Sequence, residues 1–311
     1  MIEREARIPE TLDAQRCDRV AAELFSEFSR ARLQNWIADG QLLFDGKQLR
    51  VKDKVFAGAV VTLRAELVDQ EQWQPQDIPI QVIYEDDHLL VVDKPAGLVV
   101  HPGAGNPDGT LLNGLLYRVP EVNQVPRAGI VHRIDKDTTG LLVVAKTLAS
   151  QASLVKQLQA RTLSREYHAF VHGSLTRASG KVDAPIGRHP TQRTKMAVVA
   201  SGKPAVTHYT ALEHFDGYTR ILAKLETGRT HQIRVHMTHL GYPLVGDQVY
   251  GPRQHPSKHS TLGAQAVSKF SRQALHAARL ELVHPATGDN IGWESPMPED
   301  MSHLLDLFRD E

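Results

Sequence analysis

Apolar positions along this chain fall into short runs separated by turn residues, and their spacing alternates between helical and extended periods. Leu33, Trp36 and Ile37 recur at helical spacing and predict a helix over about 30–38, with Ser29 as its N-cap and Gly40 as its stop. Leu148, Ala152 and Val155 fall on one side of a second predicted helix over about 148–161, with Thr147 as its cap. An extended run at 41–44 leads into an Asp45-Gly46 tight turn, and another is expected at 59–63. Residues 82–84 and 89–92 flank Glu85-Asp86-Asp87 and predict a hairpin. Further strands are expected at 141–145, 167–171, 206–212, 219–225, 231–237 and 280–283. Strands outnumber helices and do not alternate with them. The expected class is α+β, with a mixed, largely antiparallel central sheet.

The same pattern suggests an organisation. Residues 1–14 read as a mobile leader and 15–65 as a small compact unit. Residues 66–79 are polar, with Gln70, Gln72, Gln74, Gln76, Pro75 and Pro79, and read as a linker to a large domain over 80–311.

Composition narrows the function. Cys17 is the single cysteine, which excludes an internal disulfide framework and a four-cysteine zinc site. No unbroken apolar run exceeds five residues, as at 141–145, against the roughly 20 that a membrane helix needs. The start, Met1-Ile2-Glu3-Arg4-Glu5, lacks a secretory signal pattern, so a cytoplasmic protein without membrane partners is expected. The formal net charge is zero, but 125–240 holds 17 basic and 7 acidic residues whereas 71–124 holds 2 and 8. A basic centre beside an acidic flank points to an anionic partner.

Three tempting motifs fail. Gly103-Ala104-Gly105-Asn106-Pro107-Asp108-Gly109 has the wrong glycine spacing for a dinucleotide loop, and Pro107 sits where a helix should open. Residues 135–140 match the first half of a calcium loop, but Lys146 replaces the bidentate glutamate. On an extended strand, His231 and His236 point to opposite faces, which argues against a shared metal.

Three other segments concentrate chemistry. Residues 129–146 place a charged turn, His132-Arg133-Ile134-Asp135-Lys136-Asp137-Thr138-Thr139-Gly140, between apolar runs. Asp135 there is either a reactive carboxylate oriented by the Thr138 and Thr139 hydroxyls or a turn-capping residue. Residues 225–237 carry Arg234 among Ile233, Val235 and Met237, and a half-buried arginine wants a carboxylate. Arg165-Glu166-Tyr167 offers an aromatic face with a polar tip.

Together these segments resemble the RluA-type pseudouridine synthases. H-R-x-D-x-x-[ST]-[ST]-G is met by His132 to Gly140, R-x-Y by Arg165 and Tyr167, and G-R-x-H-Q-[IL]-R by Gly228 to Arg234. The likeness runs from about 80 to 293 and includes Asp93-Lys94-Pro95 and 245–251. It implies a pseudouridine synthase fold and an isomerase that turns uridine into pseudouridine in RNA without a cofactor. The implied catalytic residues are Asp135, Arg234 and Tyr167. The implied substrate contacts are Arg133, which fills the gap left by an extruded base, with His132, Thr138 and Arg229. The unit at 15–65 is similar to an S4 RNA-binding domain, departing from it at Cys17 and at Phe44-Asp45-Gly46, and adds Arg30 and Arg32. Arg188, His189, Arg193, Lys195 and Lys203 form a candidate phosphate-contacting segment. Residues 100–110 and 188–191 are similar to members acting on large-subunit ribosomal RNA. That implies uridines of helix 69 in 23S rRNA, either as free RNA or in a pre-50S or 50S particle, and no obligate protein partner. Two other readings remain: a catalytically silent RNA-binding or ribosome-assembly module, and a glycosidase pairing Asp135 with Asp137.

Overall fold

The computed structural model describes all residues except 1, 27, 29, 66–72, 104, 193, 253–260 and 311. The chain divides into two units, Met1–Gln72 and Trp73–Glu311. Among the described residues, no helix is long and apolar enough to cross a membrane.

The first unit contains β1 (Ile2–Arg7), β2 (Gln15–Arg16), α1 (Cys17–Leu24), α2 (Arg30–Ala38), β3 (Leu42–Phe44), β4 (Lys54–Val55) and β5 (Val60–Ala65). Strands β1, β5 and β3 form one antiparallel sheet in that order. Val20, Leu33, Ile37, Leu42, Val61 and Leu63 are buried together as its core. Residues 2–7, expected in the leader, are a strand instead. Four of the six are charged, which hides the signal, but the full ladder to β5 satisfies their backbone. Asp45 and Gly46 both take positive φ, 47° and 72°, and close Phe44 onto Lys47 as a tight primed turn. The expected cap Ser29 lies outside the described residues.

The second unit runs β6 (Gln81–Glu85), β7 (Leu89–Lys94), α3 (Leu111–Arg118), β8 (Thr139–Ala145), α4 (Leu148–Ala160), β9 (Ser164–His172), β10 (Ser179–Asp183), β11 (Ile186–Arg188), β12 (Met196–Val198), β13 (Val206–Phe215), β14 (Tyr218–Leu225), α5 (Gln232–His239), α6 (Leu262–Lys269), β15 (Leu275–Val283), β16 (Asn290–Glu294) and α7 (Glu299–Arg309). Among the described residues, nine strands form one mixed sheet, ordered β10-β13-β14-β9-β15-β8-β7-β6, with β16 beside β15. Among the described residues, only β8 and β15 pair in parallel. Strands β7 and β8 lie at the centre of the packing. Leu90, Val92, Leu142 and Val144 face a large core that includes α3, while Leu89, Val91, Leu141 and Val143 face a second core closed by Leu154 of α4. A strand covered on both faces needs no polar side, which is why 141–145 reads as an unbroken apolar run.

Three expectations are refined or changed here. Helix α4 forms and Thr147 caps it, but its buried residues are Ser150, Leu154 and Gln157. Leu148 and Val155 are exposed. Gln157 takes the inward place because its amide makes two bonds to the Val283 backbone, 2.7 and 2.9 Å. Residues 74–78 are not a free linker, since Gln74 and Gln76 are hydrogen-bonded to Asn113 and Gly109 at the start of α3. Residues 231–237 are helix rather than strand. Helix α5 is buried at every position from Gln232 to Met237, so it has no polar stripe to reveal its period. Its start is pinned by Gln232, which accepts from Arg229 N–H and donates to the Val206 carbonyl.

Candidate active site

Asp135 sits in the turn entering β8, closed by a bond from Thr138 N–H to its own carbonyl, 3.1 Å. Gly140 follows at φ 108°, where a Cβ would stand 2.2 Å from the Ala277 carbonyl, so β15 can pack against the turn only if this residue is glycine. Lys94, 1 % exposed, donates from Nζ to the carbonyls of Pro95, Leu98 and Lys136 at 2.7, 2.9 and 2.7 Å. Those three bonds tie the turn to the loop after β7, and burial draws the ammonium pKa down to about 7. The threonines do not orient Asp135. Thr138 accepts from Gln273, and the Thr139 hydroxyl pairs with His276 Nδ1.

The orienting group is Arg234, delivered from the first turn of α5. Its Nη1 donates to Asp135 Oδ2 at 2.9 Å, while Nε and Nη2 grip both oxygens of Asp247 at 2.7 and 2.9 Å. Asp247 is itself buried and accepts from the Val249 and Tyr250 N–H groups. Burial opposes the Arg234 charge, but Asp247 and Asp135 outweigh it and raise the guanidinium pKa further. Burial likewise opposes ionisation of Asp247, and the Arg234 bonds outweigh it and hold its pKa low. The Tyr250 ring lies under the guanidinium, 5.0 Å from centroid to Cζ.

Two further groups face the carboxylate. His231 Nε2 is 3.9 Å from Asp135 Oδ1, and its Nδ1 meets the Tyr250 hydroxyl at 2.8 Å. The backbone of His231 is left-handed, φ 57°, which a β-carbon disfavours and which marks a stored local strain. Tyr167, 4 % exposed on β9, lines the same pocket with Asp135, Ile233, Arg234 and Leu275. Burial raises its phenol pKa, with Asp135 adding to the rise. The pocket measures about 50 Å³ and is partly open to solvent. Asp137 does not line it, which leaves the paired-carboxylate reading without its second acid.

A lone carboxylate held by a charged fork beside an aromatic wall is equipped for attack at, or proton removal from, a bound sugar. Comparison with known proteins gives the family. Residues 88–239 match the model of the RNA pseudouridylate synthase family. Ribosomal large subunit pseudouridine synthase D of Pseudomonas aeruginosa is 59% identical over 312 residues, covering 100% of this chain and 97% of that protein. The protein of that name from Yersinia pestis is 52% identical over 306 residues, covering 98% and 94%. The chain belongs to the RNA pseudouridylate synthase family. Among solved structures, human RNA pseudouridylate synthase domain containing 4 superposes with a TM-score of 0.58 at 25% identity, covering 74% of this chain and 93% of that one.

The remaining expected site residues of this RNA pseudouridine synthase fall in several places. Arg133, Arg229 and Thr138 line the Asp135 pocket. Arg133 is exposed, and Arg229 is steadied by a bond to the Pro204 carbonyl, 3.0 Å. His132 turns away from Asp135, and its Nε2 accepts from Val143 N–H at 3.2 Å. Burial pushes its pKa to about 3, so it is a neutral support for β8. Arg188 and Lys195 are carried by the β11–β12 hairpin, whose Met196 N–H donates to the Tyr250 hydroxyl at 2.9 Å. Arg193 lies outside the described residues. In the first unit, Arg30 is bonded to the buried Asp18 at 2.8 Å, and Arg32 lies over the Trp36 ring. Asp247, Tyr250, His231 and Lys94 were missed as site residues. The legible signal for Asp247 was a carboxylate after Gly246, whose φ is 71°, the kind of partner Arg234 requires.

Proposed function

We propose that this synthase isomerises uridines of 23S ribosomal RNA, those of the helix 69 region, to pseudouridine, in free RNA or in the large subunit, in the cytoplasm. The observation that carries the mechanism is the 2.9 Å bond from Arg234 to Asp135, which holds one carboxylate in a fixed orientation at the pocket wall. The names of the full-length relatives support the ribosomal substrate.

In the reaction the N1–C1′ bond breaks and a C5–C1′ bond forms. The C5 proton leaves and N1 gains one, so atoms and electrons balance without an oxidant or a phosphate donor. Asp135 acts at the ribose, either by bonding to C1′ or by removing a ribose proton. Tyr167 stacks under the base. A paired or stacked uridine is out of reach in place and must be extruded, at a cost of a few kcal/mol. Exposed Arg133 fills the gap left in the RNA. The first unit acts as an S4-like RNA-binding domain. Arg188 and Lys195 contact phosphates rather than bases.

The deciding experiment is tritium release from RNA labelled at uridine C5. Asp135→Asn is expected to abolish release while RNA still binds. Undiminished release would end the proposal in favour of a different reactive group. Arg133→Ala should slow a structured hairpin far more than an RNA whose target uridine is already unstacked.

A further inference from the structure

Arg165 presents an unusual energetic problem. It stands on β9 with only 6 % of its surface exposed, yet among the described residues no carboxylate or hydrogen-bond acceptor meets its guanidinium, and its Nε is buried without a partner. An arginine stays charged under such conditions, and an unpaired buried charge is strongly disfavoured. Glu226 lines the same region but is engaged by Arg161 at 2.6 Å and His208 at 2.7 Å.

The surroundings suggest what completes it. Arg165 lies at the junction of the Asp135 pocket and a cleft of about 800 Å³, and Arg133, Gly228 and Arg229 also line both. A Cβ on Gly228 would stand 2.8 Å from Arg165 Nη1, so that glycine leaves the guanidinium its place. Three other cleft residues, Trp73, His101 and His132, each hold a buried ring nitrogen without a partner. For His132 that nitrogen is Nδ1, which carries the proton because Nε2 accepts from Val143. Arg127 is presented to the cleft from a strained run in which Arg127, Ala128 and Gly129 all have positive φ, at 56°, 50° and 75°. Such strain persists where the surroundings enforce it, commonly at ligand clamps.

We propose that a phosphodiester flanking the extruded uridine pairs with Arg165, so that this cleft is the subsite for the adjacent nucleotide of the RNA strand. A phosphodiester presents two anionic oxygens to a planar fork, the geometry in which arginine binds strongly. This inference rests on the base-extrusion reading above and adds the place where the strand continues.

The test uses Arg165→Met in the full chain, with a hairpin RNA carrying one target uridine. If the charge awaits substrate, the free variant unfolds at the same or higher denaturant concentration than the parent. Its RNA affinity falls roughly 10- to 100-fold, with most of the kinetic loss in KM. A methylphosphonate at one of the two linkages flanking the target should weaken binding to the parent by a similar factor, with little further effect on Arg165→Met. A destabilised variant that binds RNA normally, or a parent indifferent to both methylphosphonates, would overturn the subsite. A parent that binds this RNA without turning it over would sink the substrate reading alone, because the binding comparisons still decide the role of Arg165.

Discussion

Asp247 grips Arg234 through two parallel hydrogen bonds, 2.7 Å to Nε and 2.9 Å to Nη2, and leaves Nη1 as the donor that reaches Asp135. One guanidinium therefore serves two carboxylates in order: a fully buried one fixes its plane, and a partly exposed one receives the remaining N–H. The bond geometry at Asp135 Oδ2 is set by a residue that does not line the pocket.

Replacing Asp247 should therefore damage turnover without touching RNA. In Asp247→Asn an amide NH2 confronts one arm of the fork, Arg234 swings, and Asp135 loses its orientation. Displacement of a reacting group by about 1 Å can cost 100-fold in rate, and kcat is expected to fall by about that factor. RNA affinity measured by filter binding should stay within about twofold. Breaking a buried pair also costs roughly 3 kcal/mol of stability, read as a lower urea midpoint. An unchanged kcat would show that Asp135 is oriented by something else.

Three partly buried histidines make stability sensitive to acid. Burial lowers the pKa values of His132 to about 3, and of His101 and His168 to about 4, from an ordinary 6.5. Between those values the unfolded chain takes up protons that the folded chain refuses, so stability falls as pH drops below 6.5. Each such histidine adds a slope of up to about 1.4 kcal/mol per pH unit within its window. Urea midpoints collected from pH 7 to pH 4 should decline steadily. His132→Gln, which keeps an acceptor near Val143 N–H, should decline less steeply. Parallel curves for the two proteins would remove His132 from this account.

How far the sequence disclosed the site depends on the kind of signal each residue carried. Strands such as β8 and β14 were legible because sheet burial writes itself into period-two or continuous apolar runs. Helix α5 was not, because Arg234 and its neighbours are buried on every side and alternate as a strand would. Asp135 stood out as a charged residue between apolar runs. The threonines beside it are its natural partners by proximity, yet their hydroxyls are taken by Gln273 and His276, which are more than 130 residues away in sequence. Asp247 and Lys94 lie in segments that share the family likeness but receive no role there for the same reason: their roles consist of contacts across the fold, and single-sequence spacing does not encode such contacts. Strand β1 was hidden by its charges, since a backbone ladder needs no apolar pattern.

Tyr250 joins the reactive centre to the basic hairpin, and its two halves can be tested separately. Its ring lies under Arg234, while its hydroxyl accepts from Met196 N–H at 2.9 Å and meets His231 Nδ1 at 2.8 Å. Tyr250→Phe keeps the ring and deletes both hydrogen bonds. That should cost about 1–2 kcal/mol of stability, because the Met196 N–H loses its partner. It should also loosen β12, raising KM several-fold because Arg188 and Lys195 ride on that hairpin. Tyr250→Leu removes the ring as well and withdraws a cation–π contact worth roughly 0.5–2 kcal/mol from the group that orients Asp135. Its additional loss should appear in kcat. A KM effect in Tyr250→Phe joined by a kcat effect only in Tyr250→Leu would separate the two duties. If Tyr250→Phe left KM and stability as they were, the hydroxyl would have no part in coupling the hairpin to the pocket.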